Sequence, residues 1–199
     1  MKKGFKDIEN YRANLNRYLS KIGQNVNPEE MDELVKHFIP HRFSKKEMIL
    51  AAGEFSNTAY FVAEGLVRIY YVKEGKEITN WFIKENMVFA PTYSILTGGA
   101  NYSNYEALED TIVLQIQYSV LESFYSKYHK MEHMGRKLIE AYYGAFMKKT
   151  FDVLFLSAEE RYSLFIRDNA DLLNRVPLRY IASYLGITQE TLSRLRAKF

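Results

Sequence analysis

Pro177-Leu178-Arg179-Tyr180-Ile181-Ala182-Ser183-Tyr184-Leu185-Gly186-Ile187-Thr188-Gln189-Glu190-Thr191-Leu192-Ser193-Arg194-Leu195-Arg196 is the most informative stretch of this 199-residue chain. Two helices that meet steeply across a very short turn make specific demands, and each has a residue here. Ala182 is small where the second helix must approach closely. Gly186, four residues on, can take the left-handed conformation that the turn favours. Ile181, Leu185, Ile187, Leu192 and Leu195 form a contiguous apolar set joining the two helices. Thr188 is a good cap for the second helix, with Glu190 and Thr191 in its first turn. The stretch predicts a helix-turn-helix. Its second helix exposes Gln189, Glu190, Ser193, Arg194 and Ala197 on one polar face. Arginine pairs with guanine, glutamine with adenine and glutamate with cytosine, so this face is chemically able to read base edges.

The same end of the chain is basic. From Leu178 onward, Arg179, Arg194, Arg196 and Lys198 stand against Glu190 alone. A basic terminal module suits a polyanionic partner, although a solvated helix face produces the same pattern. The net charge of the whole chain, +3, decides nothing. Apolar residues at 47% and charged residues at 26% fit a globular protein of one large or two small domains. No run approaches the roughly 18–20 apolar residues of a membrane span. Met1-Lys2-Lys3-Gly4 leads into polar sequence, so no secretory leader is expected. The absence of cysteine excludes disulfides, cysteine-ligated zinc, iron–sulfur clusters and thiol chemistry. It is compatible with a reducing cytoplasm, the expected location.

Upstream, Ser157-Ala158-Glu159-Glu160 carries a capping box with Ser157 as cap, which places a hinge at 152–157. Before it, Met131, Met134, Leu138, Tyr142, Ala145, Phe146 and Val153 recur at threes and fours. A helix from about 127 to 156 needs a partner along that stripe, either its own barrel or a second copy. Gly135, Ala141, Gly144 and Ala145 permit close approach, which favours a dimer seam through Met131, Met134, Leu138, Tyr142, Ala145 and Phe146. From about Phe43 to Gln117, short β-rich runs alternate with turns at Gly53, Gly65, Gly75 and Gly98-Gly99, the pattern of an antiparallel barrel or sandwich. The N-terminal region predicts a helix carrying Ile8, Tyr11, Leu15, Leu19 and Ile22. A second helix starts at Asn27-Pro28-Glu29-Glu30, buries Met31, Leu34, Val35 and Phe38, and ends at Pro40.

The chain resembles the Crp/Fnr superfamily of bacterial transcription regulators over nearly its whole length. Met48-Ile49-Leu50-Ala51-Ala52-Gly53-Glu54 followed by Tyr60-Phe61-Val62-Ala63-Glu64-Gly65-Leu66-Val67-Arg68 is similar to the family's opening barrel strands. The long helix resembles its dimerisation helix, and the terminal motif its DNA-reading module. The fold so implied is α+β. An N-terminal antiparallel jelly-roll-like barrel with flanking helices (1–117) precedes the dimerisation helix (118–156) and a helix-turn-helix domain (157–199). The resemblance implies a homodimeric regulator on double-stranded DNA, with RNA polymerase as a further partner, no membrane and no enzymatic activity. Thr188 and Thr191 fall where the family contacts phosphates, and Gln189, Glu190 and Arg194 where it reads bases. Ser193 shares that face, while Arg196 and Lys198 lie further along toward phosphates.

The sequence departs from the family in three respects. Cyclic-nucleotide-binding members carry Gly-Glu and, about ten residues on, Arg-Ser/Thr-Ala. Here Ala90 and Pro91 stand for Gly-Glu, and Asn101 for the arginine. No Lys or Arg occurs between Lys84 and Lys127, whereas Glu85, Glu106, Glu109, Asp110 and Glu122 do. A buried phosphate without a cationic donor lacks its strongest hydrogen bonds, so cyclic AMP is not the expected ligand. The alternative is a sensor for an uncharged or cationic effector near Pro91, Tyr93, Asn101, Tyr102 and Tyr105. Secondly, haem lacks an axial ligand: His37, His41, His129 and His133 all fall outside the expected barrel segment. His129 and His133 are one helical turn apart but have no evident third ligand, so neither metal nor cofactor is expected. The same absence weighs against a metal-dependent barrel enzyme, and no Ser-His-Asp set or glycine-rich phosphate loop stands out. Thirdly, many members continue into a two-stranded wing, whereas this sequence stops at Phe199 and is expected to lack one.

Overall fold

A computed structural model describes residues 7–198. Met1-Lys2-Lys3-Gly4 and Phe199, on which the expectations about a leader and a wing rest, lie outside the described residues. The chain begins with α1 (Ile8–Ile22) and α2 (Pro28–Lys36). Five strands follow: β1 (Ile39–Phe43), β2 (Met48–Leu50), β3 (Thr58–Glu64), β4 (Val67–Lys73) and β5 (Lys76–Ile83). β6 (Val88–Phe89), α3 (Thr92–Thr97), β7 (Asn104–Ala107) and β8 (Thr111–Gln117) complete this part. The rest is helical: α4 (Tyr118–Lys127), α5 (His129–Phe155), α6 (Ala158–Asn169), a 3₁₀ turn (Ala170–Asn174), α7 (Leu178–Leu185) and α8 (Gln189–Arg196).

The strands form two four-stranded sheets, ordered β1-β8-β3-β6 and β2-β7-β4-β5. This is the strand order of a double-sheet jelly roll. β8 pairs antiparallel with β1 on one side and β3 on the other. Flanked on both sides, it buries Thr111, Ile112, Val113, Leu114 and Ile116. β1 is an edge strand and holds Pro40, which has no N–H to donate and is tolerated where a strand need not pair on both sides. α2 therefore ends at Lys36, before Phe38 and Pro40, not at the proline. Its start follows the sequence reading, with Asn27 accepting from the Glu29 N–H at 2.9 Å. β1 also brings His41 into a sheet, which corrects the expectation that every histidine lies outside the strands; the side chain is exposed at the edge.

Contacts group the chain into two compact units. The first takes residues up to Ile69 together with Phe82–Glu140, and the second takes Tyr70–Trp81 with the residues from Ala141 on. In the first, α1, α2 and α4 pack with β3, β8 and the beginning of α5 around Leu15, Leu34, Phe61, Leu114, Phe124 and Met131. Met131 and Met134 are thus core residues of the unit, 0% and 1% exposed, which removes them from the expected dimer seam. Gly135 is small for the same local reason. A Cβ there would lie 2.7 Å from the Tyr125 ring of α4, so its smallness serves packing within the chain.

The turn from β3 to β4 depends on Gly65, whose φ is +94°. A Cβ at this position would lie 2.5 Å from Thr111 Oγ1 and 2.8 Å from the Asp110 carbonyl oxygen. Gly65→Ala is expected to lower the unfolding free energy by about 1–3 kcal/mol through backbone strain alone, with overlap adding to it. Urea denaturation of the two proteins measures this; coincident curves would contradict it.

Candidate nucleic-acid interface

The second unit holds the helix-turn-helix. Ile181, Ala182, Leu185, Leu192 and Leu195 are buried together with Tyr162, Phe165, Leu172 and Val176, and Ile187 is half-buried. Gly186 has φ +68°, the left-handed value anticipated for the turn. This conformation lets the Ile187 N–H reach the Ala182 carbonyl at 3.0 Å, satisfying an otherwise orphaned acceptor at the end of α7. Thr188 is extended and its Oγ1 accepts from the Thr191 N–H at 3.2 Å, which starts α8. With its apolar side committed to the core, α8 leaves Gln189, Glu190, Ser193, Arg194 and Arg196 exposed, followed by Lys198; Thr188 is exposed and Thr191 half-buried. The Glu190 carboxyl is held below the usual range by its own backbone N–H and by the Thr188 hydroxyl. Lys198 lies 3.3 Å from Glu159, an exposed pair of the kind that contributes little.

Three contacts that hold this module were not apparent in the sequence. The capping box was: Ser157 Oγ accepts from the Glu160 N–H, and the Glu160 carboxylate accepts from the Ser157 N–H at 2.8 Å. α5 runs to Phe155, so the connection to α6 is shorter than expected. Arg161 of α6 then donates to the Leu185 carbonyl at 2.9 Å and the Leu156 carbonyl at 2.6 Å. One guanidinium thereby satisfies the chain ends that follow α5 and close α7. The second contact is from the β4–β5 ribbon. Ser183 of α7 donates to the Glu77 carbonyl at 3.1 Å and accepts from the Thr79 N–H at 2.9 Å. The third is Lys149 of α5, which donates to the Asn80 carbonyl. Its ammonium lies 3.9 Å from the Tyr184 ring centroid and 5.3 Å from that of Trp81.

Beyond Gly135, α5 presents a stripe that its own unit does not cover. Of the expected seam, Leu138 borders the first core, and Tyr142, Ala145 and Phe146 are exposed. Ile139, Tyr143 and Leu154, which the helical spacing missed, are exposed as well, and Phe155 is 75% exposed. The missed residues lie one position off the stripe counted from Met131, whose phase was set by residues facing the core.

Residues 40–128 match the family described as Cyclic nucleotide-binding domain. The Anaerobic regulatory protein of Haemophilus influenzae is 25% identical over 189 residues, covering 87% of this chain and 72% of that protein. The structure of FixK2 from Bradyrhizobium japonicum aligns with a TM-score of 0.72 at 22% identity, covering 81% of this chain and 83% of that one. The Thermus thermophilus Catabolite Activator Protein aligns with a TM-score of 0.58 at 20% identity, covering 89% and 85%. The chain thus carries a segment that matches this family and is similar, along most of its length, to these regulatory proteins. These curated relatives carry the names of regulatory proteins. Among the described residues no helix is long and apolar enough to cross a membrane.

The residues expected around a Crp/Fnr effector site fall into two groups. Pro91, Asn101 and Tyr105 are buried. The Asn101 amide is engaged with both backbone groups of Ser103. Tyr105 stacks on Phe89 at 5.9 Å, and Phe89 on Tyr60 at 4.8 Å. Tyr93 and Tyr102 lie outside this stack and are exposed. Their rings are 4.5 Å apart and their hydroxyls 3.1 Å apart. The hydrogen bond to Tyr93 raises the Tyr102 phenol above its ordinary value. Nearby within the sheets, buried Arg68 pairs with Glu106 at 3.5 Å.

Lys149 gives this unit a pH dependence. Burial pushes its ammonium from the usual 10.5 down to about 7. Between those values the unfolded chain binds the proton and the folded one releases it, so stability rises with pH across that window. The thermal midpoint of wild type should climb from pH 7 to 9.5, and Lys149→Met should remove that component of the rise. Parallel profiles for the two proteins would contradict the assignment.

Proposed function

We propose that this protein is a transcription regulator of the Crp/Fnr type that binds an inverted-repeat operator as a homodimer and does not respond to cyclic AMP. The observation that carries the reading is the α8 face. Gln189, Glu190, Ser193 and Arg194 are solvent-exposed on a short helix whose other side is fixed by Leu192 and Leu195 in a packed core. A polar face on a rigid support is what reading base edges in the major groove requires. Thr188 and Thr191, at the start of the helix, and Arg196 and Lys198, at its end, are suited to phosphates. Residues 118–156 supply the dimer through Tyr142, Ala145 and Phe146, extended by Ile139 and Tyr143. Residues 157–199 read DNA, and residues 1–117 form the sensor part. RNA polymerase is the further partner such a regulator implies, in the cytoplasm and without catalytic activity.

Insensitivity to cyclic AMP is supported by charge and by filling. Between Lys84 and Lys127 there is no cation to meet a phosphate. Arg68 is already paired with Glu106, and Tyr60, Phe89 and Tyr105 stack in the interior. The exposed Tyr93–Tyr102 pair supports a second reading, an uncharged or cationic effector held from outside by two hydroxyls.

Selection from random duplexes should return an inverted repeat with half-sites about one helical turn apart. Arg194→Ala should relax preference at one position per half-site, costing about 1–3 kcal/mol in discrimination. Equal loss on selected and scrambled DNA would make Arg194 a backbone contact instead. Calorimetric titration with cyclic AMP and with cyclic GMP should be flat, and a micromolar dissociation constant for either would overturn the reading of the sensor.

A further inference from the structure

The β4–β5 ribbon turns through Lys73-Glu74-Gly75-Lys76. Glu74 and Gly75 have φ of +53° and +73°, the two left-handed residues of a type I′ turn. A two-residue turn of this kind makes Lys73 and Lys76 the pair that flanks it, opposite one another and on the same face of the ribbon. Like charges placed directly opposite are unfavourable in a strand pair. Both lysines are exposed, and neither side chain has a hydrogen-bond or ion-pair partner among the described residues. No carboxylate forms an ion pair with either ammonium among the described residues.

The tip is also not a loose loop. Ser183 binds it at Glu77 and Thr79, and Lys149 binds it at Asn80 and Trp81. Both anchors belong to the unit that contains α8. An open groove of about 750 Å³ has Lys73 and Lys76 on one wall and Thr188 and Gln189, at the start of α8, on the other. Glu74, Glu77 and Glu190 border the groove with Arg179, so its total charge selects nothing. What favours an anion is the local pairing of two ammonium groups on one ribbon face, beside the N–H groups that begin a helix.

We propose that the β4–β5 tip is part of the DNA interface, with Lys73 and Lys76 meeting the phosphate backbone next to the groove that α8 enters. This rests on the DNA-reading function proposed above. The ribbon belongs to the jelly-roll sheets by chain connectivity and stands beside α8, so a strand pair of the sensor fold touches the regulated partner itself. Backbone contacts of this kind position a protein without reading sequence.

The test is a double variant, Lys73→Gln with Lys76→Gln, titrated beside wild type on a selected duplex and a scrambled one from 50 to 200 mM salt. The variant should bind both DNAs more weakly by a similar factor. The slope of log affinity against log salt should shrink by about 1–2 per protomer, since each neutralised phosphate contributes about 0.9. Ser183→Ala, which frees the ribbon while keeping its lysines, should show a smaller loss of the same kind. An unchanged slope in the double variant overturns the proposal, and so does tighter binding, which would make the tip an obstruction. Wild type that binds neither duplex overturns the DNA-reading function itself, so the two failures are distinct.

Discussion

The constraint on which the rest depends is that α5 is longer than the core available to it. Its buried residues end at Gly135, while the helix runs on to Phe155. Ile139, Tyr142, Tyr143 and Phe146 are left facing solvent over a distance of about two turns. An apolar stripe of that extent on a helix needs cover, and a second copy offers the same stripe in a two-fold arrangement. In the proposed dimer this single requirement fixes the stoichiometry. Symmetry then dictates that recognition helices come in pairs and that the operator mirrors them.

The helix-turn-helix illustrates how little chemistry is needed to make a short helix rigid. α8 has only eight residues, too few to be stable alone. Thr188 caps it, Gly186 aims it, and Leu192 and Leu195 fasten it to α6 and α7. Arg161 then closes the carbonyl ends around the α5–α6 connection and α7. Beyond the Thr188 cap, the exposed side chains can therefore be polar throughout, since Leu192 and Leu195 make the apolar contacts. In the same unit, Ser183 and Lys149 join a ribbon drawn from the sheets to this module, and the protonation of one lysine affects the strength of that junction.

Legibility in the sequence follows the range of the interactions. The helix-turn-helix was readable because Ala182, Gly186, Thr188 and the apolar set act within twenty residues of one another, and the Ser157 capping box because it acts within four. The α5 stripe was only half readable. Helical periodicity marks a residue as apolar-facing but does not say whether it faces its own core, as Met131 does, or solvent, as Tyr143 does. β1 was missed because five residues containing Pro40 and mostly exposed side chains carry no alternation, and β6 because two residues carry no period. The contacts of Lys149 with Asn80 and of Ser183 with Glu77 span 69 and 106 positions, and no local pattern marks them. The effector residues were grouped by alignment to a cassette. The structure divides them because Tyr105 belongs to an interior stack and Tyr93 to the outer surface.

The absence of cysteine allows a direct test of the central claim, that two copies present paired recognition helices. Ala197→Cys, at the exposed end of α8, can carry a single spin label, and pulsed dipolar spectroscopy on the selected duplex then measures the label-to-label distance. A paired dimer gives one narrow distance on the order of 34 Å, the separation of successive major grooves on one face of DNA. A sample bound to DNA with no dipolar coupling would show one copy per site and contradict it.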